Sequence, residues 1–517
     1  MNSPPSAPGR VYIVGAGPGD PGLLTIKGAG YLRSADVVFY DDLLDTRLLD
    51  LTNAACDRVY VGHRGGTGSR TQEDVNELLI THAREGKRVV RLKGGDPYVF
   101  GRGSEEALAL KAAGIPFEVV SGISAALAVP AYTGIPLTHR HMAAMAVLVT
   151  GHEDPFKSTP TVDWGKLAKL DATLVIFMGN RNLPDITTAL IEGGRAPETP
   201  AAAIEWGTWP HQNTVVSRLD SIAGDVRLRE MKSPTLAIVG EVVSLCEQLN
   251  WFEGKPLFRR RILVTRSREQ AAPLQLLLEA EGAEVVSLPL LEIRPPRDWT
   301  AVDEAISHLA NFDWTVFTSP NSVDFLFQRL AEAGCDSRAF GTCAIAAVGI
   351  STAERLAARG INPDLVPDNQ SQEGLATAFE DLPVDGQRFL VPASSIGRTL
   401  LDEKLEARGA EISRVVAYQN EPPDPAGVVL PEALAEGHID LFVFASPSSV
   451  RNFLELLGSE RAVEVLSTGK IASIGPTTTL AVEECGRPVD IQPQESSIPH
   501  LVEAICRFHE SGEDGVR

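Results

Sequence analysis

The second half of the chain repeats itself at an interval of 127 residues. The segment Phe312–Leu330 (FDWTVFTSPNSVDFLFQRL) is similar to Ile439–Leu457 (IDLFVFASPSSVRNFLELL), and ILVTRS starting at Ile262 is similar to FLVPAS starting at Phe389. This duplication constrains the fold strongly, because each copy must contribute its own strands and covering helices. Two similar α/β lobes in one chain favour a cleft between them, so this half is predicted to be two-lobed.

Strand-length apolar runs alternate with helix-length amphipathic segments elsewhere too, which predicts an α/β fold with parallel sheets. The basic, turn-forming stretch GKPLFRRR (Gly254–Arg261) marks the boundary between two halves. In the second half, the expected lobe crossings are the proline-ended segments Leu291–Pro296 and Val415–Pro423. We predict a first domain over 10–252, with subdomains of about 10–133 and 134–252, and a second domain over 261–511, joined by a linker over 253–260. In the second domain, lobe one is predicted at about 261–295 plus 424–511 and lobe two at about 296–423. Disordered tails are predicted over 1–9 and 512–517.

Charge and apolar run lengths exclude several classes of protein. Asp and Glu number 68 against 47 Lys and Arg, a net charge of −21, whereas broad nucleic-acid binding needs a basic face. The longest uncharged apolar runs are far shorter than the roughly 20 residues of a membrane-spanning helix, and MNSPPSAPGR does not read as a signal peptide. The six cysteines form no CxxC pair, so neither zinc nor disulfides are expected. We therefore expect a cytoplasmic protein without a metal, membrane or nucleic-acid partner.

The first strand, Val11–Val14, leads directly into the glycine-rich segment GAGPGD (Gly15–Asp20). Pro18 and Pro21 block an immediate helix, so this segment departs from the NAD-binding fingerprint, and a ligand-free turn is the other interpretation. Further Gly- and Asp-bearing loops, including KGGDP and MGN, also follow apolar strands. Ligands of open α/β sheets bind beyond the carboxyl ends of the strands. These loops therefore predict a cleft lined by backbone groups, suited to a flat, charged cofactor.

Seven segments of the first half together resemble the uroporphyrinogen-III C-methyltransferases of the tetrapyrrole methylase family. Between about Val11 and Trp251 they are, in order, GAGPGDPGLLT, VFYDDL, RVVRLKGGDPYVFGRGSEE, VVSGISAALAVPAYTGIPLTHR, LVTGH, LVIFMGN and SPTLAIVGEVV. The resemblance implies a tetrapyrrole methylase fold of two α/β subdomains, with S-adenosylmethionine (SAM) as the methyl donor and S-adenosylhomocysteine as its product. The residues implied to bind SAM are Pro18, Gly94, Gly95, Asp96, Val99, Ser124, Ala125, Met178, Ala202 and Thr235. For Met178, packing in the core is the alternative.

Two residues are implied by the same resemblance to move protons. Asp41 matches the proposed proton acceptor of the family, and its alternative is a turn-capping role like that of Asp42. His63 stands where many members carry a lysine proton donor. Histidine titrates near neutrality and is able to donate a proton, while a passive contact or a contact to a substrate carboxylate is the alternative. In-line positioning is expected to supply most of the rate acceleration.

The implied tetrapyrrole substrate carries eight carboxylates, so this acidic protein must gather basic side chains locally. The candidates for binding them are Arg64, Arg91, Lys93 and Arg140, the last flanked by His139 and His141. For each single residue, a solvated surface charge is the alternative.

The duplicated half, from about Arg261 to His509, resembles uroporphyrinogen-III synthase in ILVTRS, FTSPNSV, AVGISTA, VVAYQNEPP, FASPSSV and IGPTTT. The resemblance implies flavodoxin-like lobes and cofactor-free cyclisation of hydroxymethylbilane to uroporphyrinogen III, with inversion of ring D. Tyr418 matches the tyrosine proposed to assist departure of the substrate hydroxyl, and interlobe packing is its alternative. Residues implied to hold substrate carboxylates are Thr318, Ser319, Thr352, Ser446 and Thr477. Helix capping explains Ser319 and Ser446 as well.

Together the two resemblances imply a bifunctional enzyme. It forms uroporphyrinogen III and methylates it at C2 and C7 with two SAM to give precorrin-2, a precursor of siroheme and cobalamin. The alternative is a methyltransferase whose second half is a tetrapyrrole-binding regulatory module. A methylase of another corrin intermediate is a third interpretation, but PLTHR and GGDPYVFGRG favour uroporphyrinogen III. A homodimer through the first half is expected.

Overall fold

The computed structural model describes residues 9–62, 71–152, 161–265, 268–423, 428 and 430–512. The chain divides into two compact units, Met1–Arg260 with Leu278–Glu284 and Arg261–Leu277 with Val285–Arg517. Apart from Gly9 and Gly512, the predicted tails lie outside the described residues. No helix in these described ranges has the length and apolar character needed to cross a membrane.

The first subdomain is a five-stranded parallel sheet in the order β3-β2-β4-β1-β5. Its strands and helices are β1 (Arg10–Gly15), α1 (Ile26–Ser34), β2 (Val37–Tyr40), β3 (Asp57–Tyr60), α2 (Gln72–Arg84), β4 (Arg88–Lys93), α3 (Gly103–Ala112), β5 (Phe117–Val120) and α4 (Ala125–Tyr132). Ile13 packs into a core with Leu79 of α2, whereas its neighbour Val14 packs with Leu32 of α1. Because alternate residues of one strand enter different cores, helices cover both faces of the sheet.

The second subdomain is a mixed sheet in the order β6-β7-β10-β8-β9, in which only β6 and β7 are parallel. Its elements are β6 (Ala146–Thr150), α5 (Trp164–Ala168), β7 (Thr173–Phe177), α6 (Leu183–Glu192), β8 (Pro200–Glu205), β9 (Asn213–Arg218), α7 (Ile222–Leu228), β10 (Thr235–Val239) and α8 (Cys246–Leu249). The general expectation of parallel sheets is therefore wrong here. A short connection over 206–212 joins β8 to β9 as an antiparallel pair, because it is too short for a crossover helix.

The second unit contains two sheets, in the orders β12-β11-β18-β19 and β13-β17-β16-β14-β15. Its strands are β11 (Arg261–Val264), β12 (Glu284–Ser287), β13 (Glu292–Arg294), β14 (Trp314–Phe317), β15 (Ala344–Ala347), β16 (Arg388–Ser394), β17 (Glu411–Glu421), β18 (Leu441–Phe444) and β19 (Lys470–Ser473). Its helices are α9 (Arg268–Ala280), α10 (Thr300–Ser307), α11 (Pro320–Glu332), α12 (Ile350–Ala357), α13 (Gln372–Ala378), α14 (Leu400–Glu406), α15 (Glu432–Ala435), α16 (Pro447–Leu457), α17 (Ser459–Leu466), α18 (Pro476–Glu484) and α19 (Ile498–Glu510). The predicted α/β class with two sheet-containing lobes is confirmed.

The sequence duplication reappears as a duplicated topology. Strands β12-β11-β18-β19 in one lobe follow the same order as β17-β16-β14-β15 in the other. Equivalent parallel pairs start from Ile262 opposite Leu441 and from Trp314 opposite Phe389. Each lobe therefore takes one half of its sheet from each sequence copy.

The two segments predicted as lobe crossings pair with each other. Strand β13 runs antiparallel to the end of β17, with Glu292 opposite Glu421. Lobe one was predicted to extend to residue 295, which would include β13. In the structure β13 belongs to the sheet of lobe two, because it pairs with β17.

The segment 253–260, predicted as a linker, belongs to the first unit. Leu257 is fully buried, and the Arg259 guanidinium donates to the backbone oxygen of Gln212 at 2.9 Å. This segment therefore packs against the first unit, although its basic, turn-forming sequence suggested a linker.

Candidate functional site

Glycine loops that follow β1, β4 and β5 meet at the carboxyl edge of the first sheet. The N–H of Gly95 donates to the oxygen of Gly17 at 2.7 Å, and the N–H of Gly17 donates to the oxygen of Gly95 at 3.3 Å. A Cβ on Gly15 would lie 2.5 Å from the nitrogen of Gly122, and Gly95 has a φ of +67°. These positions accept only glycine, since a side chain would collide or strain the backbone. We call Gly15, Gly17, Gly94, Gly95 and Gly122 the glycine cradle.

The carboxylate of Asp96 ties the cradle together. Its Oδ1 accepts from the N–H of Tyr98 at 2.8 Å, and its Oδ2 accepts from the N–H of Gly122 at 3.1 Å and from the Ser121 hydroxyl. An ionised carboxylate offers about four acceptor sites, so Asp96 retains capacity for a ligand ammonium or hydroxyl group. Its first role in the fold is to hold two loops in register.

Asp41 follows β2 directly and lies at the same sheet edge. Its Oδ2 accepts from Nη2 of Arg91 at 2.6 Å, and its side chain is 27% exposed. In the neighbouring strand β4, Arg91 stands opposite Phe39. A partly exposed carboxylate with a fixed orientation is what a general base needs, whereas a turn cap would bond to backbone amides.

Arg91 and Lys93 lie beneath Asp41 and are both 4% exposed. Arg91 Nε and Lys93 Nζ both donate to Oε1 of Glu106, at 3.1 and 2.9 Å. Burial opposes the charged form of Arg91, but the carboxylates of Asp41 and Glu106 outweigh it and raise the pKa of Arg91. Burial, assisted by the charge of Arg91, lowers the pKa of Lys93.

This burial corrects the prediction that Arg91 and Lys93 bind substrate carboxylates. Both side chains point into the subdomain, where Glu106 on α3 occupies them. A buried cation requires a partner within the protein and is not available to an incoming anion.

The second subdomain contributes Met178, immediately after β7. Its φ is +53° and it is 50% exposed, so core packing does not explain this methionine. Phe100, with a φ of +56°, places its ring 4.8 Å from that of Phe177. Left-handed backbone is uncommon for residues other than glycine, and strained positions of this kind cluster at functional sites. The Phe100–Phe177 contact thus joins the two subdomains next to Met178.

Thr235 and Ala202 were also predicted to bind SAM. Thr235 begins β10 and is half-buried, with its hydroxyl donating to the backbone oxygen of Lys232. Ala202 is fully buried in β8, where it pairs with Ile238 on one side and Val216 on the other. Ala202 therefore has neither side chain nor backbone facing a cleft, which corrects its assignment.

The remaining predicted SAM residues lie around the cradle. Ser124 caps α4, accepting from the N–H of Ala126 at 3.3 Å, and Ala125 is the first residue of that helix. The backbone oxygen of Pro18 accepts from Trp209 Nε1 at 3.2 Å, which ties this loop to the second subdomain. Val99 is half-buried beside Asp96, to whose backbone oxygen its N–H donates at 3.3 Å.

Three predicted basic or proton-donating residues have different outcomes. His63 and Arg64 lie outside the described residues. Arg140 is exposed in a tight turn closed by backbone hydrogen bonds between His139 and Ala143. Within the described ranges, no group of three or more His, Cys, Asp or Glu residues is placed to hold a metal ion.

In lobe two of the second unit, Tyr418 and Ser319 lie together. The two hydroxyl oxygens are 3.0 Å apart, and Ser319 also caps α11 by accepting from the N–H of Ser322 at 3.1 Å. Tyr418 is 6% exposed, and its ring stacks on Phe325 at 5.9 Å. Ser319 therefore combines capping with orientation of the tyrosine.

The equivalent serine of lobe one, Ser446, has no hydrogen bond to a tyrosine among the described residues. Ser446 caps α16, accepting from the N–H of Ser449 at 3.2 Å, and its hydroxyl lies 2.9 Å from that of Ser448. Each lobe thus has an equivalent serine that caps a helix, but the two serine hydroxyls contact different side chains.

The three predicted threonines differ in accessibility. Thr318 is half-buried and Thr477 is exposed near the start of α18. Thr352 is 1% exposed, and its Oγ1 has no hydrogen-bond partner among the described residues. Its predicted contact with a substrate carboxylate does not fit this burial.

Sequence reasoning missed Glu106 and Phe100. Glu106 stands within GRGSEEALAL, four residues before the buried Leu110, a spacing that places both on one face of α3. Phe100 carried no comparable signal, because a left-handed backbone at a residue other than glycine leaves no mark in the sequence.

Comparison with known proteins matches two family models to the two halves. The tetrapyrrole (corrin/porphyrin) methylases match residues 10–223, and uroporphyrinogen-III synthase HemD matches residues 272–503. The chain is similar to the porphyrin biosynthesis protein HemD of Ruminiclostridium josui, with 34% identity over 446 residues that cover 86% of this chain and 88% of the relative.

Two further relatives are methyltransferases by name. The uroporphyrinogen-III C-methyltransferase of Bacillus subtilis (strain 168) is 40% identical over 330 residues, covering 64% of this chain and 68% of the relative. The S-adenosyl-L-methionine-dependent uroporphyrinogen III methyltransferase of Methanosarcina barkeri is 49% identical over 237 residues, covering 46% of this chain and 93% of the relative. Through its two halves, the chain belongs to the tetrapyrrole methylase family and to the uroporphyrinogen-III synthase family.

Proposed function

We propose that this chain catalyses two consecutive steps of tetrapyrrole biosynthesis. The second unit closes hydroxymethylbilane to uroporphyrinogen III, and the first unit methylates that product at C2 and C7 to give precorrin-2. The observation that carries the proposal is the presence, in one chain, of a glycine cradle beside an oriented Asp41 and of a separate Ser319–Tyr418 hydroxyl pair.

The methyl donor of the first unit is SAM, whose sulfonium supplies an electrophilic methyl group. The glycine cradle fits the amino-acid end of such a ligand, because it presents backbone groups without side chains. Asp96 has acceptor capacity for an ammonium or hydroxyl group, and the exposed Met178 offers an apolar, polarisable surface. Together these residues orient the donor for in-line attack.

Asp41 removes the proton that the macrocycle must lose after a pyrrole carbon is alkylated. Its carboxylate is partly exposed, so it reaches the cleft, and Arg91 fixes its direction. In the sequence, His63 occupies the position at which the family pattern has a proton donor, and we assign it that role. Arg140, being exposed, is a candidate contact for substrate carboxylates.

Tyr418 assists loss of the substrate hydroxyl in the second unit by hydrogen bonding to the departing oxygen. Ser319 holds the phenol oxygen and Phe325 supports the ring. The cationic intermediate is reactive without a metal or cofactor, so the protein mainly controls its shape before closure.

The methylase half is proposed to form a homodimer. Leu127, Leu249 and Trp251 are 56%, 49% and 49% exposed, and Trp251 Nε1 donates to Ala131 on the same helix as Leu127. A cluster of large exposed apolar side chains is typical of an association surface. Light scattering after size exclusion is expected to show a dimer that Leu127→Glu dissociates; a monomeric wild type would contradict it.

A cytoplasmic location is proposed as well. All six cysteines lie in the described ranges and none forms a disulfide, as expected for a reducing compartment.

Two parallel assays test the proposed function. Uroporphyrinogen III supplied with labelled SAM is expected to gain two methyl groups. Hydroxymethylbilane supplied alone is expected to give the type III isomer, whereas buffer gives type I. Failure of the first assay refutes the methyltransferase, and closure identical to that in buffer would favour a regulatory second half.

A further inference from the structure

A cluster of four charged side chains lies under the sheet edge that carries Asp41. Glu106 is fully buried, and its Oε1 accepts from Arg91 Nε at 3.1 Å, from Lys93 Nζ at 2.9 Å and from Gln72 Nε2 at 3.3 Å. Its Oε2 has no hydrogen-bond partner among the described residues. Two carboxylates and two cations thus share a buried site that includes Asp41.

Such a cluster is a costly way to stabilise a fold. Desolvation of buried ions consumes most of their mutual attraction, and a buried apolar set of similar volume often does as well. Among the residues that the structure describes, Oε2 of Glu106 adds no hydrogen bond to this network. Its geometry instead serves the one member that reaches the surface, Asp41.

The orientation of Arg91 depends on Glu106. Nη1 of Arg91 donates to the backbone oxygens of Phe39 and Leu92, at 3.4 and 3.0 Å, while Nε is occupied by Glu106. Only Nη2 remains for Asp41, at 2.6 Å. Asp41 therefore receives a single N–H instead of the two-bond fork that arginine and carboxylate otherwise form.

We propose that Glu106 is a positioning residue for proton abstraction, acting through Arg91 to orient Asp41 while taking up part of the guanidinium charge. The inference rests on the proposed role of Asp41 in methyl transfer. A carboxylate facing the full charge of an arginine is a weaker base, and one held by a shared arginine keeps more of its basicity.

Charged and polar groups act on this cluster from every described element packed against it. They are Arg91 and Lys93 on β4, Arg102 and Glu105 at the start of α3, Gln72 on α2 and Asp41 after β2. Of the described side chains, Arg91 alone bonds to both Glu106 and Asp41, so it is the contact through which a change at Glu106 reaches Asp41.

Glu106→Gln tests this role, because it removes the charge and nearly keeps the shape. In this variant Arg91 no longer shares its charge with Glu106 and therefore stabilises ionised Asp41 more strongly. The acid limb of the methylation pH profile is expected to move to lower pH by roughly one unit. kcat on the plateau is expected to fall by about 3–10-fold, because the base is weaker. SAM affinity and ring closure are expected to stay at wild-type values.

Asp402→Asn provides a matched control. Asp402 is a buried carboxylate, 7% exposed and 2.5 Å from Arg414, in the other unit. The Asp402→Asn substitution is expected to lower the stability of the second unit and to leave the pH profile of methylation unchanged. If Glu106→Gln does not fold, Glu106→Met, which removes the same charge and leaves a side chain of similar volume, is measured in the same way.

A displaced acid limb with unchanged SAM affinity supports the proposal. A limb at the wild-type pH, in whichever variant folds, overturns it. The wild type is measured first, and its failure to transfer methyl groups would refute the proposed function itself, not the role of Glu106 alone.

Discussion

The two units of this chain prepare for their reactions in different ways. Under the carboxyl edge of its first sheet, the first unit buries Arg91, Lys93 and Glu106 next to the partly exposed Asp41. The second unit places hydroxyls at helix N-termini, with Ser319 next to Tyr418 in one lobe and Ser446 next to Ser448 in the other. Methyl transfer requires a base to remove a proton from carbon, whereas ring closure proceeds from a self-reactive cation. The two proposed sites therefore differ in what lies beside the reacting group: a buried charge cluster beside Asp41, the proposed proton acceptor, and a helix-capping hydroxyl beside Tyr418, the residue proposed to assist ring closure.

The largest effect is expected from Asp41→Asn. Loss of the base is expected to lower methyl transfer by roughly 10²–10⁴-fold, the range for a missing general base. Ring closure by the second unit is expected to stay unchanged. Labelled SAM measures the first reaction, and isomer analysis of uroporphyrinogen measures the second. Loss of both activities would contradict the assignment of the two reactions to separate units.

A smaller effect is expected from Tyr418→Phe. Removing one neutral hydrogen bond is expected to slow ring closure by about 2–12-fold and to raise the share of type I isomer. Methylation of supplied uroporphyrinogen III is expected to continue at the wild-type rate. Chromatography of the isomers gives the result, and an unchanged ratio together with an unchanged rate would remove Tyr418 from the reaction.

The two lobes are compared by Ser319→Ala and Ser446→Ala. Each loses a helix cap, so each is expected to lower the free energy of unfolding by about 1 kcal/mol. Only Ser319→Ala is expected also to increase the type I isomer, because Ser319 contacts Tyr418. Denaturant unfolding measures the loss of stability, and isomer analysis measures the effect on ring closure. Equal isomer ratios in both variants would show that Ser319 acts only as a helix cap.

The smallest effect is expected from Met178→Gly. Glycine relieves the left-handed strain at Met178, so the free energy of unfolding is expected to rise by up to about 1 kcal/mol. SAM affinity is expected to fall several-fold, as a binding surface is lost. Glu230→Gly, at an exposed residue with a φ of +52°, is the matched control and is expected to leave SAM affinity intact. Thermal unfolding and calorimetry provide both readouts, and unchanged affinity in Met178→Gly would contradict its role.

The sequence was sufficient to predict features that depend on local chemistry. Glycines such as Gly95 can be recognised because their conformation excludes side chains, and the duplicated lobes because two copies of one sequence build one topology. The cap at Ser319 follows from a serine preceding a helix.

Features that depend on packing between distant segments could not be predicted. Arg91 and Lys93 look like surface cations in a strand, and only the docking of α3 shows that Glu106 buries them. Ala202 matched a family position, yet strand pairing on both sides encloses it. Met178 and Phe100 take left-handed backbone that their residue types do not signal.

The most direct measurement supplies hydroxymethylbilane and SAM together to the intact chain and determines the mass and isomer of the product. The account predicts a doubly methylated type III macrocycle without any added uroporphyrinogen III. An unmethylated product, or one derived from the type I isomer, would contradict it.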